Sequence, residues 1–339
     1  MATVDTPTEF AGGAYTGTVR SKAADLKRKL IDQTIKDVES WAKAVELEWD
    51  QAHPDGVGKQ SPIDPAEVES YRNKVRNEYY EWVVPTFERY LEPDPDALNP
   101  LISNMQQIET MFQGSSAGAG GLTGASGALS RINDVRTDMG HWEGRFQENF
   151  VDNFVTPLQG ASTNMRIVAI VAREQLECTK SAYIAYRKNT IELLDKSIQA
   201  VDLLNNQKNP GPVKWTAIGL IAVGTLLTLA TGGWAAAGAV CIISGTVWGG
   251  ALPGEPIKND LAAPTAQEVA VKIVEALSNL DRKTLDDEKK LESGMNNLSE
   301  AISSTRAVAK GTSGPLSVAR PLLTTTPGEV TTESLYPDR

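Results

Sequence analysis

The side chains able to do chemistry are few and scattered. The only histidines are His53 and His141, and the only cysteines are Cys178 and Cys241. A structural zinc site takes about four such ligands at close spacing, and a disulfide scaffold takes more cysteines than this. Cys178 falls in an amphipathic stretch and Cys241 in the most apolar one, so no bridge between them is expected. There is no nucleophile elbow, P-loop or dinucleotide fingerprint. His141 stands at a turn beside Trp142, and His53 precedes Pro54 in a loop; both read as surface or capping residues. Asp286, Asp287 and Glu288 are followed at once by Lys289 and Lys290, the pattern of a solvated helix face. No carboxylate pair is marked out for acid–base work. The expectation is a non-enzymatic chain with no catalytic residue, no cofactor and no metal.

Composition narrows the partners. The 339 residues carry 33 Lys and Arg against 43 Asp and Glu, a net charge of −10 with no basic block. Phosphate contacts need clustered cations, so nucleic acid is excluded as a partner. With 41% hydrophobic and 22% charged residues, the chain can bury a sizeable core rather than stay disordered.

One segment has a different chemistry, partition out of water. From Trp215 to Gly254 no residue is charged, and Thr231-Gly232-Gly233 divides the run into two arms. Ile218, Leu220, Leu226 and Leu229 fill the first arm; Val240, Ile242 and Ile243 fill the second. Trp215, Trp234 and Trp248 mark arm ends, as tryptophan does at a membrane–water interface. Each arm is about 15–16 residues, short of the roughly 20 that span a bilayer as a simple helix. Three readings fit: a helical hairpin that enters a membrane, a core hairpin shielded by neighbouring helices, or a β-tongue favoured by the Thr and Gly content. The first leads and is compatible with the second if the hairpin is hidden before use. At about 25 cal/mol per Å² of apolar area, two arms leaving water supply tens of kcal/mol gross.

The elements around this insert read as helices. From Val19 to Ala52, the residues Leu26, Leu30, Val38, Trp41, Val45 and Trp49 recur at mostly three- and four-residue steps. Asp64-Pro65 opens the next helix as cap and first helical residue; it carries Val68, Tyr71, Val75, Tyr79 and Trp82, and Pro85 kinks or ends it. A short helix follows from Leu98 to Phe112, then a Gly/Ser/Ala linker over 114–127. Beyond Pro157 a helix of about 50 residues, roughly 75 Å long, carries a seam of Ile184, Ile191, Leu194, Ile198 and Val201. A second long helix starts at Thr265, which forms a capping box with Glu268, and turns Ile273, Leu277, Leu280, Leu291, Leu298 and Ile302 inward. Tyrosines and tryptophans at helical spacing read as core, and no run alternates as a strand. The fold class expected is all-α: an elongated helical bundle in which two long antiparallel helices flank the apolar hairpin.

Trp142-Glu143-Gly144 lies between two helical stretches, where Trp can plug the gap between diverging helices and Gly can turn. With Phe146 and Phe150 after it, and no Sec or Tat signal in Met1–Thr18, the stretch 128–206 resembles the WXG family of helical hairpins exported by type VII (ESX) secretion. The resemblance implies a secreted or cell-surface protein and partners among WXG-family or secretion-machinery proteins. The family's Tyr-x-x-x-Asp/Glu export pattern does not follow the turn; Tyr90 to Asp94 fits its letters in another helical unit. The helix–hairpin–helix plan also resembles α-pore-forming toxins, by architecture alone.

The expected organisation is a disordered N-terminus (1–18), an N-terminal helical unit (19–113), the linker (114–127), the turn and long helix (128–213), the apolar hairpin (214–254), the second long helix (255–310) and a disordered tail (311–339). The expected function is an ESX-related helical protein that associates with or inserts into a lipid membrane. The alternatives are a toxin-like component that forms homo-oligomers and permeabilises membranes, and a hairpin-anchored scaffold.

Overall fold

The computed structural model describes residues 4–54, 62–112, 127–142, 145–206, 212–217, 223–226, 239–242, 257–308 and 316. Most of these are helical, as the periodicity requires. The linker 114–126, most of the tail and most of the insert lie outside the described residues. Eight helices are seen among the described residues: α1 (Gly12–Ala52), α2 (Pro65–Glu78), α3 (Val83–Glu88), α4 (Asn99–Met111), α5 (Gly127–Met139), α6 (Arg145–Phe150), α7 (Thr156–Asn206) and α8 (Ala266–Val308). One π-helical turn, Val151–Val155, joins α6 to α7.

The sequence reading is corrected in two places here. The first concerns residues 1–18, read as disordered from their glycines. Instead α1 begins at Gly12, with Phe10, Tyr15 and Val19 buried. Their spacing continues the Leu26–Leu30 stripe, so packing overrides the low helix propensity of Gly12, Gly13 and Gly17. The second concerns strands, which the all-α reading left out and only the β-tongue alternative for the insert allowed. Four short ones occur among the described residues, β1 (Lys214–Ala217), β2 (Val223–Leu226), β3 (Ala239–Ile242) and β4 (Ile257–Asp260), paired antiparallel as β1–β4 and β2–β3. Four-residue strands in an almost uniformly apolar run leave no alternation to read.

The chain divides into two compact units, both of which take part of α7 and part of α8. Unit 1 holds Met1–Asp96, Ser181–Ile221 and Gly250–Asp287. Its core joins Val19, Leu26 and Leu30 of α1, Val83 and Phe87 of α3, Ile184, Leu194 and Val201 of α7, and Ile273, Leu277 and Leu280 of α8. Asp64 accepts from Ala66 N at 2.8 Å and Pro65 opens α2, as the cap signature predicts. At α8, Glu268 N donates to Thr265 Oγ1 (3.3 Å), and Asp37 of α1 accepts from Ala266 N (2.9 Å). The second contact ties two helices 229 residues apart in sequence, which no local signature announces.

Unit 1 also buries polar groups. The Arg187 guanidinium donates to Phe10 O (2.7 Å) and Leu91 O (3.0 Å), pairs with Asp94 (3.2 Å), and lies 4.6 Å from the Tyr15 ring centroid. Tyr15 Oη donates to Tyr90 O, and Tyr90 Oη donates to Asp281 (2.6 Å). Burial pushes the Tyr15 phenol up to about 12, against a smaller lowering by Thr190 and Arg187. Tyr80 has φ 61°, a left-handed backbone that costs a bulky residue about 1–3 kcal/mol. Its hydroxyl meets Thr34 Oγ1 at 2.7 Å, which helps hold it there.

Unit 2 holds Ala97–Lys180, Ala222–Gly249 and Glu288–Arg339. Here α4 lies on α7 through Lys180 to Asn99 (2.8 Å) and Arg173 to Glu109 (3.2 Å). Arg173 also pairs with Glu177 (3.3 Å), whose carboxyl is raised by burial against the lowering effect of that arginine. Gln175 donates to Leu291 O, and Val171 packs with Leu298. Trp41 and Trp49, read as inward residues of α1, are 59% and 36% exposed. They lie past Asp37, where α8 begins, and so beyond the reach of that helix.

Candidate functional site: the apolar insert and its strap

The insert departs from unit 1 through a two-stranded strap. Its register sets Lys214 against Asp260, Trp215 against Asn259, Thr216 against Lys258 and Ala217 against Ile257. In β1 the side chains alternate, with Val213, Trp215 and Ala217 buried and Lys214 exposed. The Asp260 carboxylate closes the strap by accepting from Val213 N and Ala262 N, both at 3.0 Å, and Leu261 N donates to Val213 O.

The strap lies along α8. Lys272 Nζ donates to Ala262 O, and one step further back Asn279 Nδ2 donates to Asn259 Oδ1 at 2.9 Å. As the strap is followed from 262 to 259 its partners move from 272 to 279, so β4 runs antiparallel to α8 and β1 parallel to it. Within unit 1, β1 therefore points in the direction in which α8 runs, away from Asp37 and the start of α8.

Beyond the strap, β2 and β3 pair with Val223 opposite Ile242, Gly224 opposite Cys241, Thr225 opposite Val240 and Leu226 opposite Ala239. The helical hairpin expected for 214–254 is thus replaced, wherever the insert is described, by extended chain. The physical reason is composition: Val, Ile, Thr and Trp favour strands, and the glycines weaken any helix. Leu226, Val240 and Ile242 belong to these strands. Ile218, Leu220, Leu229, Trp234, Ile243 and Trp248 lie outside the described residues.

Trp215 was expected to mark a membrane interface. It is instead 1% exposed and among the largest fully buried side chains. Its indole Nε1 is buried with no hydrogen-bond partner, and so is Nδ2 of Asn259, the residue directly opposite. Arg282 donates to Asn279 Oδ1, and Asn279 donates to Asn259 Oδ1, so a chain of donors ends on an amide with nothing to receive it. Each orphaned buried donor costs about 1–3 kcal/mol. Sequence inspection missed Asn259; nothing in its neighbourhood of Lys258 and Asp260 sets it apart.

The turn motif fares differently. Gly140 N donates to Arg136 O and Thr137 O, and Trp142 N to Met139 O, which ends α5. Trp142 is 55% exposed, so it does not plug a gap between helices; the buried apolar residue at this end is Met139. Glu143 and Gly144 lie outside the described residues, and of Phe146 only its place in α6 is described. Phe150 and Phe154 pack with their rings tilted by 35°, centroids 5.2 Å apart. The Tyr90–Asp94 pattern is consumed by packing: Tyr90 is 1% exposed and bonded to Asp281, and Asp94 is bound to Arg187.

Among the described residues no helix is long and apolar enough to cross a membrane, and no group of three His, Cys, Asp or Glu is placed to hold a metal ion. Comparison with protein-family models, curated proteins and solved structures finds no match.

Proposed function

We propose that the protein is a non-enzymatic helical protein that enters lipid membranes through the apolar insert of 215–254. The observation that carries this reading is the uncharged run itself, 40 residues from Trp215 to Gly254. Among the described residues β2 and β3 pair only with each other, and each unsatisfied backbone group at a strand edge in hydrocarbon costs several kcal/mol. A pair of this kind cannot cross a bilayer. Two arms of about 20 residues, recruiting Trp215 at one end, would each make about 30 Å of helix, the thickness of the hydrocarbon core. Entry thus means a strand-to-helix change, which returns the sequence to the helical hairpin its length suggests.

Permeabilisation by homo-oligomers is the second reading, favoured by the two long helices α7 and α8 on either side of the insert. The WXG resemblance adds type VII export as a proposal, tested by whether release from the cell stops when the secretion ATPase is deleted. The membrane reading is tested by flotation and dye release with phosphatidylcholine vesicles, comparing the full chain with a Leu226→Asp, Val240→Asp variant. At the centre of a membrane helix each added aspartate costs about 2.5–3.5 kcal/mol, so the variant should neither float nor release dye. Equal activity of the two proteins, or a full chain that stays at the bottom of the gradient, overturns the reading.

A further inference from the structure

We propose that the Trp215–Asn259 rung is a release latch, built to let the strap peel from α8 ahead of the rest of unit 1. This rests on the membrane reading for its purpose but not for its mechanism.

The rung is the one place in the strap where two opposed residues both bury an unanswered donor. Directly opposed residues share a face of the pair, so Trp215 Nε1 and Asn259 Nδ2 both lie on the side turned to α8 and the core. Every other named strap contact is satisfied: Asp260 takes two backbone amides, Lys272 reaches Ala262 O, and Asn279 reaches Asn259 Oδ1. Asn259 Oδ1 already accepts from Asn279, and an acceptor in place of its Nδ2 would stand on the same face of the pair as the indole N–H. The chain carries a second donor there instead. Opening returns both orphans to solvent, where water accepts from them, so the free-energy gap between closed and open strap is narrowed at this rung. Trp215 gains most, because an indole at a membrane interface has a polar partner for its N–H and an apolar bed for its ring. The rung also lies where β4 is tied to α8, so β1 and β4 must separate from α8 here for the strap to open.

The test is hydrogen exchange of the β1 and β4 amides in the full chain, in solution and without lipid. Asn259→Asp removes one orphaned donor, keeps the acceptor that Asn279 uses, and adds a second acceptor on the face that buries the Trp215 indole. It should lower the opening equilibrium of these amides by about ten- to a hundredfold, the factor one charge-assisted hydrogen bond provides. In a Trp215→Phe background, which has no indole N–H, most of that gain should vanish. If Asn259→Asp leaves opening unchanged or increases it, or slows it equally with Phe at 215, the latch is refuted. An indole N–H resonance of Trp215 at the downfield shift of a hydrogen-bonded indole in the native chain also refutes it. Dye release separates the two proposals. Opening slowed by Asn259→Asp, with dye release that Leu226→Asp, Val240→Asp leaves unchanged, keeps the latch and sinks the membrane role, whereas opening that Asn259→Asp leaves unchanged, with dye release that Leu226→Asp, Val240→Asp abolishes, does the reverse.

Discussion

If each arm must reach about 20 residues to span a bilayer, β1 has to leave β4, and a covalent tie across the strap should stop insertion. Thr216 and Lys258 stand directly opposite each other, on the face away from the buried Trp215. Opposed residues of an antiparallel pair have Cα atoms about 4.5–5.5 Å apart, inside the range of about 4.4–6.8 Å that a disulfide accepts. Thr216→Cys with Lys258→Cys therefore closes a loop of 43 residues around the whole insert. Keeping that loop closed while the insert opens costs about 4 kcal/mol of chain entropy, which lowers the open population about a thousandfold. Cys241 is replaced by serine to prevent mispairing; Cys178 is buried at 1% exposure and can stay. The assay is dye release from phosphatidylcholine vesicles by the oxidised and the dithiothreitol-treated protein, beside the Lys258→Cys single variant. Reduced protein should match the single variant, and oxidised protein should release almost nothing. Equal release before and after reduction would refute the argument, because insertion would then proceed with the strap closed.

Two further outcomes follow from the packing. Trp142→Ala should change stability by no more than about 0.5 kcal/mol, as for other exposed positions, whereas a tryptophan plugging two helices would cost about 3–5 kcal/mol; urea titration decides between them. Tyr15, pushed up to about 12 by burial, makes unit 1 sensitive to alkali. Its phenol ionises first in the unfolded chain, so stability is intact below about pH 10 and falls by about 2–3 kcal/mol between pH 10 and 12. A Tyr15→Phe variant should lack that part of the decline in thermal melts, and an unchanged slope would show that Tyr15 is not its source.

The sequence by itself determined where the helices run and which faces they bury. Leu26, Leu30, Ile184, Leu194, Ile273 and Leu280 recur at helical steps because each helix needs one continuous apolar stripe, and all are buried. Asp64-Pro65 announced its helix because a cap acts on groups two residues away. It also determined that the insert is the exceptional segment, since freedom from charge over forty positions requires no structure to see. Only the tertiary structure decided the rest. Tyr15 and Phe10 are core because Arg187 and Tyr90, far along the chain, enclose them. Trp142, read as a plug between helices, is exposed, and Trp215, read as a membrane-interface residue, is buried. The strands in the insert come from pairing between residues some 13 to 46 positions apart, which local propensity in a uniformly apolar run cannot specify. Asn259 became a candidate only when the register set it opposite Trp215. A buried donor counts as orphaned only once every neighbour is known, and for this strap the neighbours come from α8, some 20 residues further along the chain, where no local signal marks the contact.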